Sequence, residues 1–413
     1  MTLSEELSWR GFINQTTIKN LSKLDEKKLS FYHGYDASVD SLTIGNLAAV
    51  MMDKVFIKHG WHPVILSGGA TSLIGDPGGK DSERNLQTSE KVATNVAAVT
   101  KQVKALFGTD VTFVNNLDWY SKMNILEFLR DVGKHFSMTP LVQRDYIAKR
   151  IGEGGMGISY TEFSYTLLQG YDFLYLNRNY DVELQLAGSD QWGNSLSGVD
   201  LIRRVENKEV HVLTCPLIIN KATGKKFGKS EEGAIWLDPA LTSVYKFYQF
   251  WLNIEDEGVE DYLKIYTQLD KQQIDNCMAE FVKNKQDRLA QKTLAFEVTK
   301  IVHGQAATES VARVSEVLFG KQDYNVLEMV DLLALKRELP LLESKIGESI
   351  LDSLVNNGFI ASNSEAKRTL EQGSLYINGK KLTDNRSWAK SDTIDNHHVV
   401  IRRGKNNNAI VQL

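Results

Sequence analysis

Residues 28–69, KLSFYHGYDASVDSLTIGNLAAVMMDKVFIKHGWHPVILSGG, decide the fold. Lys28–Tyr32 reads as a short strand. Ile44–His59 carries Leu47, Met51, Val55 and Phe56 at helical spacing, and Gly60 stands where a helix-ending glycine belongs. Val64–Leu66 is a second apolar strand, and it runs into a Gly-rich turn. A strand, a helix and a strand joined this tightly form a βαβ unit, which needs a parallel sheet.

The pattern continues outward. Lys91–Phe107 is predicted helical with Ser89 as a possible N-cap. Val111–Val114 alternates like a strand, and a helix follows near Asn124–Val132. Val182–Leu186 and Val210–Leu213 are later strands, with a helix near Gln191–Val205 between them. Residues 240–320 read as helical, with Tyr245, Phe247, Phe250 and Trp251 suited to aromatic packing. Gly320 is a plausible boundary. After a mixed stretch to about 345, the tail shows short helices and then strands around Asn378-Gly379, a strong hairpin signal.

The chain has 413 residues, 42% apolar and 24% charged, which is globular composition with room for a large core. No apolar run is long enough to span a membrane, and the N-terminus lacks a signal-peptide core. The two cysteines are too few for a disulfide framework or a thiolate zinc site. A cytoplasmic protein is expected. A net charge of −4 argues against a surface built wholly for nucleic acid. Residues 341–413, however, carry a slight excess of bases, so a local basic patch remains open.

Five segments offer chemistry. Tyr32-His-Gly-Tyr-Asp36 is followed by Ser38 and by Thr43-Ile-Gly-Asn46, which opens a helix. Gly45 permits close backbone approach, and helix N-termini attract phosphate. Ser67-Gly-Gly-Ala-Thr-Ser-Leu-Ile-Gly-Asp76-Pro-Gly-Gly-Lys80 suggests a loop shaped around a ligand. It fails as a P-loop, because Ile74 replaces the first Gly and Asp81 replaces the magnesium-binding Ser or Thr. Tyr165, Gln169 and Asp172 fall at i, i+4 and i+7, on one helical face. Gly188-Ser-Asp190-Gln191-Trp-Gly-Asn194 marks a strand-to-helix turn, where Asp190 either accepts from a ribose hydroxyl or caps the helix. Lys225-Lys226-Phe227-Gly228-Lys229-Ser230 is a cationic turn suited to a triphosphate.

Taken in this order, the segments resemble bacterial-type tyrosyl-tRNA synthetases, a class I aminoacyl-tRNA synthetase family. TIGN (43–46) aligns with the HIGH-type signature and KFGKS (226–230) with the KMSKS-type signature. GGATSLIGDP (68–77), LLQGYDF (167–173) and GSDQWGN (188–194) are specific to the family. Ser364-Glu-Ala-Lys-Arg368 and Ile377-Asn-Gly-Lys-Lys381 resemble its S4-type tail. The implied fold class is α/β. The resemblance implies a Rossmann-type parallel-sheet catalytic domain over 1–223 and a helical anticodon-arm domain over 224–320 with the KFGKS loop at its start. A linker over 321–345 and a small α+β S4-like tRNA-binding domain over 346–413 complete the expectation.

The implied activity is tyrosine–tRNA ligation: L-tyrosine is activated with Mg-ATP and passed to the terminal adenosine of tRNA(Tyr). Tyr32 and Asp172 should hold the phenolic hydroxyl. Asp76, Tyr165 and Gln169 should hold the α-amino group, with Gln191 near the carboxylate. Asp36, Ser38, Gly45, Gly188 and Asp190 belong to the ATP site. Thr43, Asn46, Lys226, Lys229 and Ser230 are the catalytic set around the phosphates. Lys80 and Arg84 match positions that meet pyrophosphate or the acceptor arm, and His33 matches one that faces the ribose. Lys367, Arg368, Lys380, Lys381 and Arg386 are candidates for tRNA phosphates. A homodimer is implied, with its interface around Val111–Phe136. No resident metal, tightly bound cofactor, membrane or DNA partner is expected.

One departure stands out: Thr43 replaces the first signature His and Asn46 the last. Thr donates one hydrogen bond but carries no charge. A tryptophan-specific relative and a non-catalytic RNA-binding paralogue are the alternatives.

Overall fold

In the computed structural model, residues 1–76, 86–108, 110–143, 145–152, 154–155, 157–221, 223–224, 227–230, 233–319, 324–404 and 407–413 are described. The chain divides into two compact units: Met1–Thr242 with Ile254–Leu294, and Ser243–Asn253 with Ala295–Leu413.

The first unit is built on a six-stranded sheet. Its strands are β1 (Gln15–Thr16), β2 (Ser30–Tyr35), β3 (His62–Ser67), β4 (Thr112–Asn115), β5 (Val182–Gly188) and β6 (His211–Cys215). They lie in the order β1-β6-β5-β2-β3-β4. All neighbours are parallel except β1 and β6. The chain steps outward from β2 to β3 and β4, then returns to the other side of β2 as β5 and β6. The order therefore reverses between β2 and β5, and a crevice at the carboxyl ends of strands opens at such a point. Both strands are largely buried because helices cover the sheet, so even polar His33 and Gln185 lie in the interior.

The helix predicted over Ile44–His59 spans Ile44–Lys58. Its C-terminal end is pinned by Glu6, a buried carboxylate bonded to Lys58 and His59 at 2.9 and 2.8 Å and to Arg10 at 2.9 Å. Burial pushes the Glu6 carboxyl up, but the bonds from His59, Lys58 and Arg10 outweigh it and hold it at about 2. Arg10 also donates to the carbonyls of Lys264, Thr267 and Leu269, which close helix Val259–Tyr266.

Two local readings are corrected. Helix Ser89–Phe107 is capped by Thr88, whose side chain accepts from Lys91 N–H, so Ser89 is the first helical residue and not its cap. Asp190 caps nothing: it lies inside a 3₁₀ turn, Ser189–Gln191, and helix Trp192–Glu206 starts from Gln191 without a side-chain cap.

A short antiparallel ribbon pairs β7 (Lys229–Ser230) with β8 (Gly233–Ala234). In the second unit β9 (Leu341–Glu343), β10 (Leu375–Ile377), β11 (Lys380–Lys381), β12 (His398–Arg403) and β13 (Asn407–Gln412) form one sheet ordered β11-β10-β12-β13-β9. Asn378 and Gly379 turn β10 into β11 with φ of 45° and 75°, as a type I′ hairpin needs. Helical residues 243–253 and 295–319 group with this sheet, whereas 254–294 group with the first unit. The stretch expected as a single helical segment is thus shared between two cores. Val400 and Ile410 pack with Val314, Leu318, Leu332 and Leu335, so the tail sheet shares a core with the helices before it. Among the described residues, no helix is long and apolar enough to cross a membrane.

Candidate active site

A cavity of about 500 Å³ opens in the first unit at the point where the strand order reverses. Tyr32, Asp36, Ser38, Thr43, Gly45 and Asn46 reach it from β2, the loop after it and the start of the following helix. Asp76, Tyr165, Gln169 and Asp172 line another wall, and Gly188, Asp190 and Gln191 close the end of β5. Lys80, Arg84 and Lys226 lie outside the described residues, and of Lys229 and Ser230 only the backbone is described.

The helical face predicted from i, i+4 and i+7 spacing exists: Tyr165, Gln169 and Asp172 all come from helix Tyr160–Tyr180. Asp172 is 2% exposed. Its Oδ1 accepts from Trp119 Nε1 at 3.0 Å and its Oδ2 from Asn116 Nδ2 at 3.1 Å. Burial raises its carboxyl to about 7, against the pull of these hydrogen bonds. Asn116 is itself held, donating to Thr71 Oγ1 at 3.0 Å and accepting from Ala70 N–H at 2.7 Å. The Gly-rich loop is thereby tied to the carboxylate through one buried amide.

Tyr32 stands beside this carboxylate, its ring centroid 5.1 Å from that of Phe173. Its Oη is buried and has no hydrogen-bond partner among the described residues. Burial and the Asp172 charge push its phenol well above the ordinary range. A buried hydroxyl without a partner costs free energy, which a ligand oxygen would recover.

Higher in the cavity, Asp76 accepts from Gln191 Nε2 at 2.6 Å. Asn194 orients Gln191 at 3.3 Å and is fixed in turn by Thr166 Oγ1 at 2.9 Å. Asp36 accepts from Ser72 Oγ at 2.8 Å and from Ser38 N–H at 3.0 Å. Gly188 has a steric reason to be glycine: a Cβ there would meet Asp190 Oδ1 at 2.6 Å. His33 lines the cavity with Nδ1 bonded to buried Asp53 at 2.9 Å, and Tyr35 Oη donates to the same carboxylate at 2.8 Å. Asp53 lies on helix Ile44–Lys58, so this network anchors the helix to β2.

At the helix start, Thr43 N–H and Oγ1 donate to Asn46 Oδ1 at 3.0 and 2.9 Å. The two signature segments meet here. Ile44 N–H donates to Ile235 O at 3.1 Å, and Ile235 N–H donates to Gly228 O at 3.1 Å. Phe227 is buried and stacks on Tyr262 at 4.4 Å.

Asn116 and Trp119 escaped sequence reading, and Ser72 and Asn194 stood inside quoted motifs without a role of their own. Asn116 could have been found by position, because it lies immediately past a parallel strand, where ligand-facing groups collect. In the tail, Lys367 and Arg368 are exposed on helix Asn363–Glu371, and Lys380 and Lys381 are exposed on β11. Arg386 is different: both its terminal nitrogens bond Asp392 at 2.7 Å, so it is not a spare cation for phosphate.

Comparison with known proteins identifies the family. The family model "tRNA synthetases class I (W and Y)" matches residues 24–320, and "Tyrosine--tRNA ligase SYY-like C-terminal domain" matches residues 331–411. A Tyrosine--tRNA ligase 2 from Bacillus cereus is 44% identical over 423 residues, covering 100% of both chains. A Tyrosine--tRNA ligase from Limosilactobacillus fermentum is 44% identical over 422 residues with the same coverage. The crystal structure of a C-terminally truncated mitochondrial tyrosyl-tRNA synthetase from Aspergillus nidulans superimposes with a TM-score of 0.70 at 29% identity, covering 77% of this chain and 94% of that one. A tryptophanyl-tRNA synthetase from Encephalitozoon cuniculi shares the fold at 13% identity and a TM-score of 0.55. With both family models in register and relatives matched from end to end, the chain belongs to the class I tRNA synthetases and, within them, to the tyrosine–tRNA ligases.

Proposed function

We propose that this protein activates L-tyrosine with ATP to tyrosyl-adenylate and transfers the tyrosyl group to the 3′-terminal adenosine of tRNA(Tyr). The observation that carries this reading is that Tyr32 Oη, buried and without a partner among the described residues, and the buried Asp172 carboxylate both line the same end of the cavity. A phenol donates to a carboxylate and accepts from a tyrosine hydroxyl, so it serves both groups. An indole N–H only donates and would leave the Tyr32 proton without an acceptor. That asymmetry favours tyrosine over tryptophan. Phenylalanine would leave Tyr32 Oη buried without an acceptor and give Asp172 no donor beyond Asn116 and Trp119, a mode of rejection for which tyrosine-specific synthetases are themselves the reference case.

Asp76, Tyr165 and Gln169 hold the α-ammonium group, and Gln191 orients the carboxylate toward the α-phosphorus. Asp36, Ser38, Gly45, Gly188 and Asp190 receive the nucleotide, with Asp190 on the ribose. The tyrosine carboxylate attacks the α-phosphorus of Mg-ATP and pyrophosphate departs. The terminal hydroxyl of tRNA then attacks the adenylate carbonyl. Neither step needs a protein nucleophile. Thr43 and Asn46, together with Lys226, Lys229 and Ser230, act by positioning the phosphates and stabilising their growing charge. Magnesium enters as part of the nucleotide substrate.

Lys80 and Arg84 meet pyrophosphate or the acceptor arm, and Lys367, Arg368, Lys380 and Lys381 track tRNA phosphates in a tail domain of S4 type. The protein works in the cytoplasm as a homodimer. Ile125, Leu126 and Leu129, exposed on helix Ile125–Asp131, support an interface in that region. Tyrosine-dependent ATP–pyrophosphate exchange, run against a panel of amino acids, tests the central claim. Exchange driven by tryptophan, or by no amino acid, would refute it. Sedimentation with Leu126→Asp tests the interface: the dimer should dissociate.

A further inference from the structure

Helix Ser89–Phe107 contributes no side chain to the adenylation cavity, yet it holds the loop that forms one wall of it. Residues 36–43 connect β2 to helix Ile44–Lys58 and include Asp36, Ser38 and Thr43, which line the cavity. Irregular backbone must find partners for its polar groups outside a ladder or a helix. Three amides supply them. Gln87 Nε2 donates to Ser38 O at 2.7 Å. Asn95 Nδ2 donates to Ala37 O at 2.9 Å and to Gln87 Oε1 at 3.3 Å. Gln102 Oε1 accepts from Leu42 N–H at 2.9 Å, and its Nε2 donates to Ser41 Oγ at 3.0 Å. Asn95 and Gln102 lie two turns apart on one face of the helix, so a single rigid element grips both ends of the loop.

We propose that Gln87, Asn95 and Gln102 are positioning residues for ATP: an amide ladder built from this helix and from Gln87, just before its Thr88 cap, sets the loop that receives the nucleotide. The inference rests on the reading of residues 36–43 as nucleotide-facing. Packing alone does not account for the ladder. Asn95 is fully buried, and its Oδ1 has no partner among the described residues. An unpaired buried oxygen is a cost that an apolar side chain of similar size at 95 would not carry. What only the amide supplies is the bond that fixes Ala37 O. The outer Lys91–Asp40 ion pair, at 3.6 Å with both side chains more than half exposed, adds little to this hold.

The loop side of the ladder also explains why it should act on one substrate and not the other. Tyr32 and Asp172, at the phenol end, are fixed by Phe173, Asn116 and Trp119 and receive no bond from the ladder. Loosening the loop should therefore weaken ATP binding and leave tyrosine binding in place.

The test is ATP–pyrophosphate exchange with Asn95→Leu, Gln102→Leu and Gln102→Glu, with melting temperatures measured alongside. Each leucine variant should raise the KM for ATP about tenfold, as expected for one lost hydrogen bond in a desolvated site. The KM for tyrosine should stay within about twofold, and Asn95→Leu, which takes the donor away from the buried Ala37 O, should melt a few degrees below the unmodified protein. Gln102→Glu keeps an acceptor for Leu42 N–H and should recover part of the ATP affinity. Equal rises in both KM values, or an unchanged KM for ATP, would overturn the ladder. Absence of tyrosine-dependent exchange in the unmodified protein would overturn the functional reading beneath it instead.

Discussion

Gly228 sits against Ile44 so closely that a Cβ on Gly228 would lie 2.8 Å from Ile44 Cγ1, at a φ of +96°. The two residues belong to segments that are far apart in sequence, and this contact fixes the spacing between the helix that opens with Thr43 and the ribbon that begins at Lys229. A side chain at 228 would push them apart and would also occupy a backbone region that L-residues avoid, at about 1–2 kcal/mol. Gly228→Ala should lower kcat for adenylate formation about tenfold or more while leaving the KM for tyrosine near its original value. Single-turnover measurement of adenylate formation checks this; an unchanged rate would separate the contact from catalysis.

The Asp172 carboxyl, raised to about 7 by burial, makes tyrosine recognition pH-dependent. The ionised form accepts from the phenol, so kcat/KM for tyrosine should rise with pH through a midpoint near 7. The stability effect has the opposite sign. The folded-state value lies above the ordinary 3.8, so the free protein binds more protons folded than unfolded between these values and loses this contribution as pH rises through about 7. Trp119→Phe removes a donor to the ionised carboxylate and should move the kinetic midpoint upward. A flat kcat/KM profile between pH 5.5 and 8 would count against the assignment.

Thr43→His restores an imidazole at the helix start but gives up the Thr43 Oγ1 bond to Asn46. The adenylation rate should hold or improve, because imidazole reaches further and can carry charge near the phosphates. A fall of tenfold or more would mean that the Thr43–Asn46 pair forms part of a pocket built without the imidazole.

Charge reversal tests the tail better than truncation does. Cutting near residue 345 would strip Val400 and Ile410 from the core they share with Val314 and Leu335, so loss of function would report unfolding as much as lost RNA contact. Lys380→Glu with Lys381→Glu changes only exposed residues of β11. Pyrophosphate exchange should be preserved, tRNA charging should weaken, and the salt dependence of tRNA binding should become shallower by about one to two units of slope.

Most of the catalytic sheet was legible because β3, β4 and β6 carry short apolar stretches separated by helices of clear periodicity, whereas the two-residue β1 left no pattern to read. The helical face of Tyr165, Gln169 and Asp172 was legible for the same reason, since i, i+4 and i+7 spacing fixes direction once a helix is granted. Asn116 and Trp119 were not. Their importance comes from meeting Asp172 across more than fifty residues, and no local pattern encodes that encounter. Asp190 was ambiguous because a strand-to-helix turn suits capping and ligand binding alike, and only the 3₁₀ geometry separates the two. Arg386 misled because a basic residue in a basic tail gives no sign of its partner Asp392.

Because Asn116 bonds Asp172, Thr71 Oγ1 and Ala70 N–H together, anyone redesigning this enzyme to load a different side chain inherits a coupled problem. Randomising the acidic position alone would leave amide and indole protons aimed at whatever replaces it, and the strain would pass along Asn116 into the glycine turn. Libraries that vary 71, 116, 119 and 172 as one set should yield working altered-specificity variants far more often than libraries that vary the carboxylate by itself.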